Sequence, residues 1–127
     1  MSNKMINSNN APKAIGPYSH SVRTGDLLYI SGQIPVVPAT GEVAGDTFKS
    51  QTEQSMKNIL AILEEVGLNF DNVVKTNIFI TDMSKFSDVN EVYSTFFKDY
   101  FPARACVQVS ALPKNVLVEI EAVASFN

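Results

Sequence analysis

The stretch Val116-Leu117-Val118-Glu119-Ile120-Glu121-Ala122-Val123-Ala124-Ser125 decides the architecture, because its apolar residues recur at every second position. Val116, Val118, Ile120, Ala122 and Ala124 fall on one face of an extended strand, and Leu117, Glu119, Glu121 and Val123 on the other. The first face is apolar enough to lie against a helix layer. The second mixes two carboxylates with apolar neighbours, which suits a surface covered in part by another chain.

Reading back from this strand, Arg104 to Ser110 predicts the one before it, joined through Leu112-Pro113-Lys114-Asn115. Pro102 stops any helix ahead of that strand. The preceding helix is expected over Phe86 to Lys98, with Phe86, Val89, Tyr93, Phe96 and Phe97 on its buried side. Val73 to Thr81 is dense in β-branched residues and predicts a strand with Val74, Thr76, Ile78 and Ile80 on one face. A longer helix is expected from Thr47 to Val66, where Met56, Ile59, Leu60, Leu63 and Val66 recur at helical spacing. Asp46 is its candidate N-cap and Gly67 its C′ residue. Ser19 to Arg23 and Leu27 to Ser31 form a hairpin around Thr24-Gly25-Asp26, and Gly32 to Gly45 allows at most a short edge strand.

The order β-β-α-β-α-β-β is an α+β pattern, a mixed sheet of five or six strands with two helices on one face. Residues 1–10, polar and Asn-rich, are expected to be a flexible tail, and 11–127 a single domain. Two helices cover one face of such a sheet, so the other is expected to pack against further subunits.

With 127 residues and a net charge of −3, the chain lacks the basic field of a dedicated nucleic-acid binder. Cys106 is the only cysteine, so no intrachain disulfide can form and the cytoplasm is the default location. No segment reads as a signal peptide or membrane span. One His and one Cys are too few for a structural zinc site, and no phosphate-cradling glycine loop is present.

The candidates for chemistry are few. Arg104, at the start of a strand behind Pro102, suits bidentate capture of a carboxylate, or is a surface cation in a weak ion pair. Glu119, flanked by Val118 and Ile120, needs water or a partner, or sits with Glu121 on a solvated face. Cys106 reads as a small half-buried residue or as a nucleophile, whose only available imidazole is His20. His20 itself reads as a polar surface residue. Tyr18 is a packing aromatic or a pocket lid, and Ser31-Gly32 is a plain turn or a place where a ligand approaches backbone. Asn90 stands out mildly on an otherwise apolar-striped helix.

Several blocks of sequence add a further signal. They are Ala14-Ile15-Gly16-Pro17-Tyr18-Ser19, Ser31-Gly32-Gln33-Ile34-Pro35, Thr40-Gly41, Val74-Lys75-Thr76, Val89-Asn90-Glu91-Val92-Tyr93 and Phe96-Phe97, then Pro102-Ala103-Arg104-Ala105-Cys106-Val107, Leu112-Pro113 and Val118-Glu119-Ile120-Glu121. Together they resemble the RidA/YjgF family of reactive-intermediate (enamine/imine) deaminases, over everything from about residue 11 onward. The resemblance implies a chorismate-mutase-like fold assembled as a homotrimer with clefts between subunits. It implies that Arg104 grips a substrate carboxylate and that Glu119 orients the hydrolytic water. Tyr18 would stand at the cleft, Ser31, Gly32 and Asn90 would line it, and the Cys106 backbone would contact ligand or water. His20 departs from the family, which more often carries Gln there.

The implied reaction is hydrolysis of 2-iminobutanoate and 2-iminopropanoate to 2-keto acids and ammonia, protecting pyridoxal-phosphate enzymes, with no metal or organic cofactor. If the two groups lie close, Arg104 should favour ionised Glu119 against the effect of burial. Two other functions compete. One is a non-catalytic trimeric module that binds small carboxylates and needs Arg104 without Glu119. The other is an endoribonuclease or translation inhibitor, which fits poorly with a pI near 5.0 and one His.

Overall fold

Strand β6 (Val118–Ser125) lies inside the sheet, hydrogen-bonded on both sides, with a burial pattern that alternates along its whole length. The computed structural model describes residues 3–127. The elements ahead of β6 are β1 (Lys4–Ile6), β2 (Ser21–Thr24), β3 (Leu27–Gln33), α1 (Phe48–Glu64), β4 (Val73–Ile80), α2 (Phe86–Ser94) and β5 (Ala103–Gln108). Among the described residues the strands form one mixed six-stranded sheet in the order β1-β2-β3-β6-β4-β5, with β4 and β5 parallel and every other pair antiparallel. The fold is α+β, as the element order predicts.

Both helices pack on the sheet face that carries Val118, Ile120, Ala122 and Ala124. Their contact layer includes Leu28, Met56, Ile59, Ile62, Leu63, Ile78, Ile80 and Val89, all fully buried. At roughly 1.5–3 kcal/mol for each buried aliphatic side chain, this layer is the main favourable term holding the helices to the sheet. The other sheet face presents Tyr29, Val74 and Val107, each more than two-fifths exposed. Among the described residues no helix is long and apolar enough to cross a membrane.

Helix α1 starts one residue later than expected. Thr47, and not Asp46, is the N-cap, and its Oγ1 accepts from the Ser50 amide at 3.0 Å. It ends at Glu64, two residues short of the expected Val66, while Gly67 takes the expected C′ place. Gly67 has φ +75°, its amide bonds the Glu64 carbonyl at 3.1 Å, and the Leu68 amide bonds the Leu63 carbonyl at 3.0 Å. These two bonds make a Schellman cap with Gly67 at C′.

Four expectations are corrected. Residues 4–6 are a strand, not tail: β1 pairs antiparallel with β2, Ile6 is buried, and the Ser21 hydroxyl donates to the Ile6 carbonyl. In β4 it is Val73 that is buried and Val74 that is exposed, because the register slips between Val73 and Lys75 and a bulge exchanges the faces. Helix α2 ends at Ser94, where the Ser94 and Thr95 hydroxyls donate to the Glu91 and Val92 carbonyls at its last turn. Phe96 and Phe97 nonetheless join the core as an edge-on aromatic cluster with Phe70 and Tyr93. Lastly, β3 does not stop at Ser31. It bulges there, with Ile30 opposite Ala122 and Gln33 opposite Ile120.

Candidate functional site

Arg104 and Glu119 are set on opposite faces of the sheet. On β5, Arg104 pairs with Thr76, whose hydroxyl bonds the Tyr93 hydroxyl of α2 at 2.6 Å, so Arg104 leaves the sheet on the helix side. Its Nη1 donates to Asn90 Oδ1 at 2.7 Å, and its guanidinium carbon stands 5.3 and 5.2 Å from the ring centroids of Phe86 and Tyr93. The two aromatic faces favour the cation electrostatically and leave most of its donors free. Among the described residues Arg104 has no carboxylate partner, so the surface ion-pair reading does not hold. Around it lies a hollow of about 350 Å³ walled by Asn90, Tyr93, Ser94, Phe101 and Pro102.

Glu119 lies between buried Val118 and Ile120 on β6 and therefore points away from the helices. Its carboxyl sits over Gly32 so closely that a Cβ at that position would meet Glu119 Cδ at 2.8 Å and Cγ at 3.1 Å. Gly32 is one of the two residues, with Ser31, in the β3 bulge, and its lack of a side chain is what lets the carboxyl settle there. A pocket of about 220 Å³ surrounds the pair, lined also by Ile15, Tyr18, Ser31, Ile34 and Pro113. Burial, with Glu121 adding repulsion, holds the Glu119 carboxyl above the usual carboxylate range. The expected pull of Arg104 on Glu119 is absent within one chain, since the sheet separates them.

The Ser31 hydroxyl donates to the Ser19 carbonyl at 2.7 Å, and its amide bonds the His20 carbonyl at 2.9 Å, fixing the loop that carries Tyr18. The Tyr18 hydroxyl accepts from the Ile15 amide at 3.3 Å, which folds the ring over its own loop at the pocket mouth. Tyr18, Ser31, Gly32 and Glu119 are thus brought together, and Asn90, Arg104 and Cys106 form a second group. Cys106 pairs with Ile78 and faces the helix side. Burial pushes its thiol up, against a smaller opposing pull from Arg104.

The nucleophile reading of Cys106 loses its base, because His20 is committed elsewhere. His20 is buried, a correction to the surface reading. Its Nδ1 accepts from the Ser8 amide at 3.1 Å, its Nε2 bonds the Pro12 carbonyl at 2.6 Å, and its own amide bonds Asn7 Oδ1 at 2.8 Å. A neutral ring protonated on Nε2 satisfies both contacts.

Sequence reasoning missed the residues that hold the pocket walls. Asn58 of α1 donates from Nδ2 to the Ile34 and Val36 carbonyls at 3.1 and 3.0 Å. Gln51 bridges the Gly45 carbonyl and the Leu117 amide. Both are buried, and Gln51, Ser55, Asn58 and Ile62 make a helical stripe beside the apolar one, a signal present in the sequence. Asn77 was also missed. It donates to Glu121 Oε2 at 2.9 Å and so anchors the carboxylate beside Glu119.

The family model described as Endoribonuclease L-PSP matches residues 8–126. A 2-iminobutanoate/2-iminopropanoate deaminase of Escherichia coli K12 is 48% identical over 124 residues, covering 95% of this chain and 96% of that one. A RutC family protein of Pyrococcus horikoshii is 48% identical over 121 residues, covering 95% and 96%. Among solved structures, the conserved Rid family protein YyfA of Yersinia pestis superposes with a TM-score of 0.94 at 48% identity, covering 98% of this chain and 99% of that one. Sequence and fold therefore converge, and the chain belongs to the RidA/YjgF family of Rid proteins.

Proposed function

We propose that the protein hydrolyses short 2-imino acids, of the 2-iminobutanoate and 2-iminopropanoate kind, to 2-keto acids and ammonia in the cytoplasm. The active assembly is a homotrimer, in which Arg104 of one subunit meets Glu119 of the next. The observation that carries this reading is the separation of two complementary groups on opposite faces of one sheet. Arg104 is a cation braced by Asn90 with no carboxylate partner, and Glu119 is a carboxyl seated over Gly32. Neither group alone handles an imino acid, and a cleft between subunits gives them a common substrate.

The chemistry follows from charge. The guanidinium of Arg104 takes the substrate carboxylate through two N–H···O bonds. That fixes the imine carbon beside a water held by Glu119. Ionised Glu119 accepts a proton as the water oxygen bonds to the imine carbon and the C=N pair moves to nitrogen. The protonated carboxyl returns that proton to nitrogen, giving a neutral carbinolamine. Glu119 then takes the proton of the new hydroxyl and passes it to nitrogen as the C–N bond breaks, so that ammonia leaves and the hydroxyl oxygen becomes the keto oxygen. A carboxyl whose acid form is favoured by burial suits both halves of this cycle. Positioning and proton transfer contribute about 10² to 10⁴-fold, or roughly 3 to 5 kcal/mol. Tyr18, Ser31 and Gly32 wall the Glu119 side, and Asn90 and the Cys106 backbone the Arg104 side.

The test generates 2-iminobutanoate in situ with a threonine dehydratase and follows 2-ketobutanoate release under semicarbazide competition. Acceleration that is lost in Arg104→Ala and in Glu119→Gln is the expected result. Carboxylate binding that needs Arg104, without any acceleration, would replace the enzyme with the binding module. Light scattering should give three times the chain mass of 13.9 kDa. A particle of one chain's mass would end the shared-cleft reading.

A further inference from the structure

Next to the Glu119 pocket the structure opens into a second hollow of about 310 Å³ that a short imino acid leaves unused. The two spaces share Ile15, Tyr18, Gly32 and Ile34 in their walls, so they adjoin along the Tyr18–Gly32 side. Much of the second lining is apolar, with Ala11, Val36 and Pro38 contributing. Among the described residues its only charged lining residues are Lys13 and Lys114, and no Asp or Glu lines it. Among the described residues neither lysine forms an ion pair, although the chain as a whole carries a net charge of −3.

Both lysines are mounted on constrained backbone. Lys114 has φ +58° and its neighbour Asn115 φ +53°, in a turn that the Asn115 amide closes onto the Leu112 carbonyl. Non-glycine residues adopt this region rarely, and two in succession hold a specific shape. Lys13 follows Pro12, whose carbonyl bonds buried His20, while the Ser8 amide bonds the other nitrogen of the same ring. His20 therefore pins the segment that supplies one wall of the hollow.

We infer that this hollow is a side-chain subsite for imino acids whose side chain ends in an anionic group, of which a second carboxylate is the simplest. The volume equals roughly ten water-sized spaces at about 30 Å³ each, and it lies within the range of small-ligand sites. The apolar walls take methylene groups, and the two ammonium groups take the terminal charge that Glu119, in the adjoining pocket, repels. The reaction in this inference rests on the proposed imine hydrolysis, whereas the binding preference does not.

The experiment uses the full chain and imines generated in situ by an amino-acid oxidase from 2-aminobutyrate, norvaline and glutamate. Norvaline and glutamate give side chains of similar reach with and without the terminal charge. In wild type the glutamate-derived imine should be hydrolysed at least as efficiently as the norvaline-derived one. The variant Lys13→Ala/Lys114→Ala should lower that ratio by about five- to tenfold, and Lys13→Arg/Lys114→Arg should preserve it. Glutarate and butyrate binding, measured by calorimetry, provides a readout without turnover: wild type should prefer glutarate, and the alanine pair should lose the preference. An unchanged ratio in the alanine variant, or no preference for glutarate in wild type, would overturn the subsite. Hydrolysis of 2-iminobutanoate together with either result leaves the proposed reaction standing and removes only the subsite. Lysine-dependent glutarate binding with no imine accelerated does the reverse.

Discussion

Replacing Gly32 with Ala places a methyl group against Glu119, with the carboxyl carbon at 2.8 Å and Cγ at 3.1 Å, where ordinary contact begins at 3.4 Å. The carboxyl must retreat by something on the order of 1 Å, a misplacement that costs catalysis about 10²-fold where geometry matters. The same substitution is mild for folding. Gly32 has no left-handed φ, and Glu119 is half-buried, so its side chain can swing outward without leaving a cavity. Restricting the unfolded chain also favours the variant by roughly 0.4–1 kcal/mol, which offsets part of any strain. The expectation is therefore a melting temperature within a few degrees of wild type, by about the 4–8 °C per kcal/mol typical of small domains, and a kcat/KM for 2-iminobutanoate lower by about 10²-fold. The assay is the semicarbazide competition, run on wild type, Gly32→Ala, Glu119→Ala and the double variant. In the double variant the methyl group has no carboxyl to displace, so it should be no slower than Glu119→Ala alone. Activity of Gly32→Ala within threefold of wild type, or a further loss in the double variant, would refute the argument that Gly32 acts by seating Glu119.

Asn90→Ala should raise KM for the imino acid by roughly fivefold with little change in kcat, because the bond to Arg104 Nη1 orients the group proposed to hold the ground-state carboxylate; an equal fall in kcat with KM unchanged would contradict this. His20→Ala should cost about 2–3 kcal/mol in denaturant unfolding, since it leaves the Ser8 amide without its acceptor, and His20→Gln should recover part of that. Equal losses in the two variants would count against hydrogen bonding as the cause. Glu119 has a raised folded-state pKa, so its contribution to stability is present below the unfolded value of 4.5 and is lost as pH rises through the folded value. Glu119→Gln should accordingly gain on wild type in melting temperature between pH 4.5 and neutrality. No gain over that interval would refute burial and the Glu121 charge as the dominant influences on Glu119.

Much of this structure can be read from residue order, and the failures have physical causes. The alternation over residues 118–125 is legible because β6 is buried on one face and pairs on both sides, so each odd or even position has one environment. The same rule fails in β4 at Val73 and Val74, since one extra residue reverses the parity and periodicity has no marker for it. The short β1 is hidden by composition. Ile6 is its only buried side chain, and β1 is held by pairing with β2 rather than by a stripe of its own. His20 escapes a sequence reading because a buried imidazole is recognisable only from its partners, Ser8 and Pro12, which lie up to twelve residues away. The polar stripe of α1 is visible at helical spacing, but its role needs the loops that Asn58 and Gln51 tie down.

The two groups on which the proposed function rests are legible individually, and their relation is not. Strand parity assigns Glu119 to the face opposite Ile120, while Arg104 is assigned to a face only through Thr76 and Tyr93, which requires knowing that β5 runs parallel beside β4. Once that pairing is known, the consequence is strict. A sheet lies between the guanidinium and the carboxyl, and no side-chain rotation in one chain brings them to a common substrate. On the proposed reading assembly is therefore part of the catalytic machinery and more than a cover for apolar surface. A variant that folds but does not associate should bind neither carboxylate nor imine productively, even with every site residue present. Mixing Arg104→Ala with Glu119→Gln chains should restore activity in the mixed assemblies, because some of their clefts regain one intact group from each subunit. Absence of any restoration among demonstrably mixed trimers would end the reading in which one cleft joins Arg104 of one subunit to Glu119 of the next.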